Sequence, residues 1–377
     1  MRDFSNVKRV IIKIGSSSLV HDDLSINSDM IDRLMQSFFN LHQKGIDVCL
    51  VSSGAIALGM HELKLNKRPS DMALKQACAA VGQAKLMEAY NIFASKYDLS
   101  CGQILLNHDD FQKRTRMHHL SNTLEAMFSN KIIPIINEND ALAVDEIKVG
   151  DNDTLAALIV PMINANLLVL FSDIDGLFNK NPKLYKDAIK VDTVDKITKD
   201  IYDMVGVNPS SVGTGGMETK LNAAKISTNS CCNMIICNSN MINKLDDIIN
   251  GDNIGTLFSA KAKKLSSKKD WLIFKAYPEG KIYIDDGCKA RLSNKRVSIL
   301  PVGIIAVMGE FKKGSLIDVL DKDNKLVARG VTNYSSEVIS AILGLSSDEI
   351  KNKLGNKVKK EVIHANNLVV FREGELC

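Results

Sequence analysis

The chain has 377 residues, the length of two or three domains, and its 45% hydrophobic content supports a sizeable core and excludes a disordered chain. Its formal net charge of +4 is too small to indicate nucleic-acid binding by itself. The eight cysteines include no CxxC pair and the seven histidines form no HExxH, so we predict no metal site and interpret the cysteines as buried residues of a reducing compartment.

Membrane insertion is not predicted either. The first residues contain only a short apolar stretch, which Lys13 interrupts, and this does not suit a signal peptide. No uncharged apolar run reaches the length that spans a bilayer. We therefore expect a cytoplasmic protein without membrane contact.

The first predicted strand carries a lysine to a glycine-containing turn. Residues 7–14 are rich in β-branched side chains, include Lys13 near the end and lead into Gly15 and three serines. Glycine allows close backbone approach, and the following N–H and hydroxyl groups suit phosphate oxygens. The turn is not a Walker A loop, because GxxxxGK[ST] is absent.

A helix and a second strand follow. Asn27 or Ser28 begins a helical pattern that Gly45 ends, and residues 46–51 form an apolar strand. That strand again ends in small polar residues, 52–55, with the sequence SSGA. The alternation of strand, helix and strand indicates a parallel sheet with a crossover helix.

The next elements continue this alternation. A long helix is predicted over 73–96, a short strand over 103–106 and an amphipathic helix over 119–128. The charged segment 107–116 between them suits either a solvated surface or contact with a partner or substrate, and the sequence leaves both open.

Two polar clusters stand close together after the strand at 132–136. Residues 137–140 read NEND, and residues 150–153 read GDND before a helix over 154–162. Each cluster alone suits an ordinary turn, since Asn, Asp and Gly favour turns. Because ligands of α/β proteins bind beyond the carboxyl ends of strands, two such clusters in succession favour a binding site.

Another strand, 167–171, ends in a polar segment, 172–177, that contains two aspartates. A helix is predicted over 192–205, followed by the glycine-rich residues 213–217 and a helix with Lys220 in its first turn. Successive glycines before a helix expose N–H groups to an anion, and the helix dipole adds to the attraction.

The composition changes at residues 261–270, which are rich in Lys and Ser and which we interpret as a linker between domains 1–260 and 271–377. No aromatic residues alternate with these lysines, so a solvated linker is favoured over a nucleic-acid site. After residue 271, short β-rich runs are separated by turn signals such as Asp285-Asp286-Gly287, with little helix before Ser335.

These features together indicate phosphoryl transfer. Lys13, Lys220 and the glycine-rich turns match a reaction in which the protein positions groups and neutralises phosphoryl oxygens. Asp153 and Asp173 either hold a lysine or help to organise Mg²⁺. A hydrolase is not supported, since neither a GxSxG turn nor a Cys/His pair occurs.

The acceptor side is less defined. Asp140 suits an ammonium group, and Asn152 with the cluster at residues 137–140 offers donors and acceptors for an amino-acid-like substrate. At this level the residues indicate a kinase-like site without naming the acceptor.

As an ordered set, the motifs of about residues 7–257 resemble the amino acid kinase family. The matching motifs are Lys13-Ile14-Gly15-Ser16, residues 52–57, residues 134–140, Gly150-Asp151-Asn152-Asp153, residues 172–177 and residues 213–217. The second part resembles the PUA domain that follows the kinase domain in many glutamate-phosphorylating members. Its matching motifs are Asp285-Asp286-Gly287, residues 300–303, residues 309–311, residues 328–330 and residues 333–336.

The resemblance implies a fold and a reaction. The fold would be a three-layer αβα sandwich with a mostly parallel sheet, followed by a small β-rich PUA-like barrel. The reaction would be ATP-dependent phosphorylation of the γ-carboxylate of L-glutamate, the first step toward proline, with Mg²⁺ bound through the nucleotide phosphates. Members that phosphorylate glutamate are commonly oligomers inhibited by proline, so the resemblance implies a homo-oligomer, a dimer or tetramer, with proline as inhibitor.

The resemblance also implies roles for particular residues. Lys13 and Lys220 would stabilise the transferring phosphoryl group, and Asp153 would orient both lysines. The residues implied for glutamate are Ser53, Gly54, Asp140 and Asn152. The residues implied for ATP are Lys13, Gly15, Ser16, Ser172, Asp173, Thr214, Gly215, Gly216, Met217, Glu218, Thr219 and Lys220.

Two alternatives remain at this stage. One is a related kinase that phosphorylates another carboxylate or amino acid. The other is an RNA-binding protein, because PUA-like domains often bind RNA, although the aromatic content is only 5% and basic residues are scattered.

Overall fold

A computed structural model describes residues 2–107, 110–111, 114–142, 151–182, 184–204, 216–261, 278–295, 297–345, 349 and 360–371. The chain divides into two compact units, Met1–Lys264 and Leu265–Cys377. All but the first residue of the predicted linker, 261–270, lies outside the described residues. In the described part of the chain, no helix is both long and apolar enough to cross a membrane.

An eight-stranded sheet forms the centre of the first unit. Its spatial order is β3-β4-β2-β1-β5-β7-β8-β6, and every neighbouring pair is parallel except β7 and β8. The strands are β1 (Arg9–Ile14), β2 (Asp47–Ser52), β3 (Ser100–Leu106), β4 (Ile132–Glu138), β5 (Leu167–Ser172), β6 (Thr193–Val194), β7 (Asn233–Asn238) and β8 (Thr256–Phe258).

Helices connect these strands, as the alternating pattern predicts. They are α1 (Ser16–Leu19), α2 (Ser28–Gln43), α3 (Ala55–Glu62), α4 (Met72–Ser95), α5 (Arg114–Ser129), α6 (Asn152–Ile159), α7 (Lys199–Met204), α8 (Met217–Asn229) and α9 (Leu245–Ile249), with a 3₁₀ helix at Ser239–Lys244. Asn27 caps α2, because its side chain accepts a hydrogen bond of 3.1 Å from Met30 N.

The sheet is buried on both faces. Val10, Ile12 and Ile14 pack in one core with α2 and α4, including Phe38. Since side chains alternate along a strand, Ile11 and Lys13 point to the opposite face, where α6 lies. The predicted three-layer αβα arrangement with a mostly parallel sheet is confirmed.

One predicted helix is wrong in its first half. Within 192–205, residues Thr193 and Val194 form β6, which pairs in parallel with Leu257 and Phe258, and helix α7 begins only at Lys199. Both residues of β6 are β-branched, and pairing at the sheet edge outweighs a weak helical periodicity.

The second unit is β-rich, as predicted. Its five-stranded sheet has the order β10-β9-β11-β12-β13. The strands are β9 (Gly280–Ile284), β10 (Ile304–Met308), β11 (Leu316–Leu320), β12 (Leu326–Thr332) and β13 (Ile363–Val370). The described helices are α10 (Asp286–Asn294), α11 (Ser336–Ala341) and a 3₁₀ helix at Pro301–Gly303.

The expectation of little helix before Ser335 is wrong at α10. The predicted turn Asp285-Asp286-Gly287 is the start of this helix, because Asp285 Oδ1 accepts a hydrogen bond of 2.7 Å from Cys288 N. Aspartate favours helix N-caps as much as turns, so the sequence signal was ambiguous.

Candidate active site

The polar ends of four neighbouring strands lie at one edge of the large sheet. In the parallel register Ile14 of β1 aligns with Ser52 of β2 and with Phe171 of β5. Val51 of β2 aligns with Ile136 of β4. Lys13, Ser52 and Asn137, at the ends of β1, β2 and β4, are therefore brought to the same edge of the sheet.

Asp153 lies between two lysines at this edge. Its Oδ1 is 2.6 Å from Lys13 Nζ and its Oδ2 is 2.9 Å from Lys220 Nζ. The carboxylate is buried, with 3% of its side chain exposed, while the lysines keep 11% and 12% of theirs. Two ammonium groups on one carboxylate leave a net positive charge at a partly accessible point.

Local structure explains this convergence. Asp151 caps α6 by accepting a hydrogen bond of 2.8 Å from Thr154 N, which places Asp153 in the first turn. Gly216, at φ 106°, precedes α8 and brings Lys220 into that helix's first turns. The φ value lies in the left-handed region that favours glycine.

Charge rather than burial sets the protonation of Asp153. Burial of the carboxylate raises its pKa, but Lys13 and Lys220 outweigh burial and hold the pKa below its ordinary value. Asp153 is therefore ionised at neutral pH. Thr219 Oγ1 supports the same arrangement, because it lies 3.3 Å from Asp153 Oδ2 and 2.9 Å from Gly216 O.

A network of amides lies beside the lysines. Asn152 Nδ2 is 2.9 Å from Ser52 O, 2.7 Å from Ser53 Oγ and 3.0 Å from Asn137 Oδ1. Among the described residues, the buried Asn152 Oδ1 has no hydrogen-bond partner. A buried acceptor without a partner is costly unless a ligand supplies a donor.

Helix α4 contributes two site residues that our sequence analysis missed. Gln83 Oε1 accepts a hydrogen bond of 2.9 Å from Asn137 Nδ2, and the Tyr90 hydroxyl lies 2.8 Å from Ser52 Oγ. They are seven residues apart on one helix face. Polar residues on the buried face of an otherwise apolar helix were the available signal.

Glycines let α4 come close enough to make these contacts. A Cβ on Gly82 would lie 1.8 Å from Ala55 O, and a Cβ on Gly59 would lie 1.8 Å from Cys78 O. Helices α3 and α4 therefore touch backbone to backbone.

The other predicted acceptor residues lie near this network. Gly54, at φ 102°, is the N-cap of α3 directly after Ser53. Asp140 is half-buried in the turn after β4. The charged segment 107–116 includes a surface ion pair of 2.7 Å between Asp110 and Arg116.

The residues predicted for ATP form a second group. Gly15 precedes α1, and a Cβ there would lie 3.9 Å from Lys13 Nζ, while Ser16 is exposed. Ser172 ends β5 and donates a hydrogen bond of 3.1 Å to the exposed Asp173. A Cβ on Gly216 would have no atom within 4 Å.

The start of α8 completes this group. Met217 is its first residue, and Glu218 is buried, with 8% of its surface exposed. Thr214 and Gly215 lie outside the described residues. Both lysines pair with Asp153, whereas the Ser172 hydroxyl donates to Asp173.

Both parts of the chain match known families. Residues 8–238 match the amino acid kinase family, and residues 280–354 match the PUA domain. Glutamate 5-kinase of Caldanaerobacter subterraneus subsp. tengcongensis is 41% identical over 367 residues, which cover 97% of this chain and 99% of that protein.

Two further relatives show the same extent of similarity. Glutamate 5-kinase of Dictyoglomus turgidum is 42% identical over 374 residues, 99% of this chain and 100% of the relative. That of Methanococcoides burtonii is 40% identical over 370 residues, 97% and 98% of the respective chains.

Proposed function

Because this chain belongs to the amino acid kinase family and, within it, to the glutamate 5-kinases, we propose that its site transfers the γ-phosphoryl group of ATP to the γ-carboxylate of L-glutamate. The product is glutamyl 5-phosphate, in the first step of proline biosynthesis. Similarity extends over both units, which favours this function over a kinase with another acceptor or an RNA-binding protein.

The observation that carries the proposal is the contact of one buried carboxylate with two lysines. Phosphoryl transfer needs fixed positive charge beside the oxygens of the moving group. Lys13 and Lys220 supply that charge, and Asp153 holds both ammonium groups in place at 2.6 and 2.9 Å. We assign the two lysines to catalysis and Asp153 to their orientation.

The amide network suits the acceptor. Ser53, Gly54, Asp140 and Asn152 are proposed to hold glutamate. The buried Asn152 Oδ1, which has no partner among the described residues, provides an acceptor for a substrate N–H group. This network lies beside Asp153, the next residue in the chain, so the acceptor would lie next to the lysines.

The nucleotide side comprises the starts of α1 and α8 and the end of β5. We assign Gly15, Ser16 and Gly216 to a phosphate, because backbone N–H groups at helix N-termini suit anions. Ser172 and Asp173 lie at the end of β5, the strand that pairs with β1. Met217 to Lys220 continue this side, and Thr214 and Gly215 are included on the resemblance alone.

ATP use follows from the family, and we propose that Mg²⁺ binds together with the nucleotide. Among the described residues, no group of three or more His, Cys, Asp or Glu side chains is arranged to hold a metal ion. We therefore propose that the ion is held chiefly by nucleotide phosphates and water, where it would neutralise phosphate charge.

Further proposals rest on the resemblance. They are a homo-oligomer, dimeric or tetrameric, and inhibition by proline. A cytoplasmic location and domains 1–260 and 271–377 joined by a linker at 261–270 are proposed from the sequence pattern instead.

The test is ADP release from ATP with a panel of acceptors, namely L-glutamate, L-aspartate, N-acetyl-L-glutamate and carbamate. Glutamate alone should support rapid turnover. Turnover with another acceptor and none with glutamate would reject the proposal in favour of the related kinase. Tight, salt-sensitive RNA binding without any kinase activity would favour the RNA-binding alternative.

A further inference from the structure

The Tyr90 hydroxyl begins a chain of hydrogen bonds that leads to the acceptor side. Tyr90 is fully buried on α4, and its hydroxyl lies 2.8 Å from Ser52 Oγ. Ser52 Oγ lies 3.2 Å from Ser53 O and donates its only hydrogen there. Tyr90 is therefore the donor in its contact with Ser52.

Ser52 in turn is tied to Asn152. The carbonyl oxygen of Ser52 accepts a hydrogen bond of 2.9 Å from Asn152 Nδ2, which also lies 2.7 Å from Ser53 Oγ. Two proposed acceptor-binding residues thus depend on the conformation of Ser52. Burial raises the pKa of the Tyr90 phenol, so the group keeps its proton and remains a donor at neutral pH.

We propose that Tyr90 is a positioning residue for the acceptor substrate, acting through Ser52. The inference rests on the proposed function, because it needs Ser53 and Asn152 to bind glutamate. Without the phenolic hydrogen, the buried Ser52 hydroxyl loses the hydrogen bond that it accepts. The turn of Ser52 and Ser53 is then no longer held in one conformation. Acceptor binding should weaken while the nucleotide side is unaffected.

Tyr90→Phe tests this with minimal change in shape. We expect the KM for glutamate to rise about 5- to 20-fold, the range for one lost buried hydrogen bond, with the KM for ATP within twofold of wild type. Tyr97→Phe is the matched control, because that phenol contacts Asp32 at 3.4 Å instead of a strand end. It should leave both KM values unchanged.

A second variant separates positioning from general damage. Ser52→Ala should raise the KM for glutamate as well, and adding Tyr90→Phe to it should have no further effect. An unchanged KM for glutamate in Tyr90→Phe, or equal rises for both substrates, overturns the inference. Wild-type protein that does not phosphorylate glutamate would instead overturn the proposed function.

A separate observation concerns the nucleotide side. Thr256 is fully buried on β8, and its Oγ1 accepts a hydrogen bond of 2.8 Å from Leu177 N and donates one of 2.5 Å to Val191 O. Val191 N also donates to Leu177 O at 2.8 Å. The Thr256 hydroxyl therefore joins the two ends of the loop between Leu177 and Val191.

Gly176 packs directly on this hydroxyl. A Cβ there would lie 2.5 Å from Thr256 Oγ1, and its φ of 144° is one that glycine tolerates best. Gly176 and Leu177 end the polar segment 172–177, whose first residues, Ser172 and Asp173, are on the proposed ATP side. We infer that Thr256 positions this segment for the nucleotide, which also rests on the proposed function.

Thr256→Val removes the hydroxyl and keeps the shape, and Thr256→Ser keeps the hydroxyl. We expect Thr256→Val to raise the KM for ATP about 5- to 20-fold with an unchanged KM for glutamate, and Thr256→Ser to behave as wild type. If Thr256→Val does not fold, Thr256→Ala provides the same contrast. Equal effects of the Val and Ser variants, or equal rises for both substrates, overturn the inference.

Discussion

Asp153→Asn tests the charge arrangement at the centre of the site. The substitution keeps the shape of the side chain and replaces one carboxylate oxygen with an NH₂ group. Lys13 Nζ and Lys220 Nζ now lie 2.6 and 2.9 Å from its two oxygens. In the variant, one lysine would face a donor and both would lose their shared counter-charge.

The structure sets the size of the effect. Removing one partner of a buried ion pair costs about 3–5 kcal/mol, and partial exposure of the lysines lowers this to about 1–3 kcal/mol in the free energy of unfolding. Loss of one preorganised donor to a developing charge lowers kcat by about 10²–10³. Because two cations lose their position, we expect kcat to fall by about 10³.

The assay is ADP release at saturating ATP and glutamate, paired with urea unfolding of the same samples. Asp318→Asn is the matched control, because Asp318 pairs with Arg329 at 2.7 Å in the second unit with only 12% and 17% of the side chains exposed. It should cost stability with kcat unchanged. A kcat for Asp153→Asn within tenfold of wild type would refute the reasoning.

Four further predictions follow from the same contacts. Lys220→Ala should lower kcat at least about 100-fold with little loss of unfolding free energy, and equal losses of both would contradict its assigned role. Gly82→Ala should destabilise by about 1–3 kcal/mol in urea unfolding, because its Cβ would meet the backbone of α3, whereas Gly287→Ala, whose Cβ meets only a side-chain oxygen at 3.4 Å, should not. Asp153 has a lowered pKa in the folded protein, so its stabilisation is present above the unfolded-state pKa of about 3.9 and is lost as pH falls further; the difference in unfolding free energy between wild type and Asp153→Asn should therefore shrink below about pH 4. EDTA should abolish ADP release, and excess Mg²⁺ should restore it, without changing the Tm of the ligand-free protein; a lower Tm in EDTA would indicate an ion held by the chain itself.

The strand ends could be read from the sequence because their signals are local. An apolar run followed by Gly, Ser, Asn or Asp marks both the strand and the point where it ends. The parallel register then brings Lys13, Ser52 and Asn137 to one edge of the sheet, which follows from topology alone. The contact of both lysines with Asp153, which the family resemblance implies, is made in the structure.

Contributions from α4 could not be read in this way. Gln83 and Tyr90 act over long sequence separations, and the side chains that they contact come from the ends of β4 and β2. The approach of α4 depends on the absence of a Cβ at Gly82, which a helical periodicity does not reveal. A pattern within one helix gives its buried face but not the partner of each residue on that face.

Two elements, α10 and β6, were predicted wrongly because their local sequence suits more than one type of secondary structure. Asp285 is equally suited to a turn and to the cap of α10, and only the contact with Cys288 N decides between them. Thr193 and Val194 form a strand because β8 offers an edge to pair with. The strand depends on a partner that is remote in the sequence, whereas the cap depends on a local backbone conformation that the residue types alone do not decide.

The most direct measurement of the central claim is to trap the product with hydroxylamine. An acyl phosphate reacts with hydroxylamine to give a hydroxamate, so phosphorylation of the γ-carboxylate predicts γ-glutamyl hydroxamate in an amount equal to the ADP released. Fragmentation by mass spectrometry distinguishes the γ from the α position. ADP release without hydroxamate, or hydroxamate at the α-carboxylate, would contradict the account.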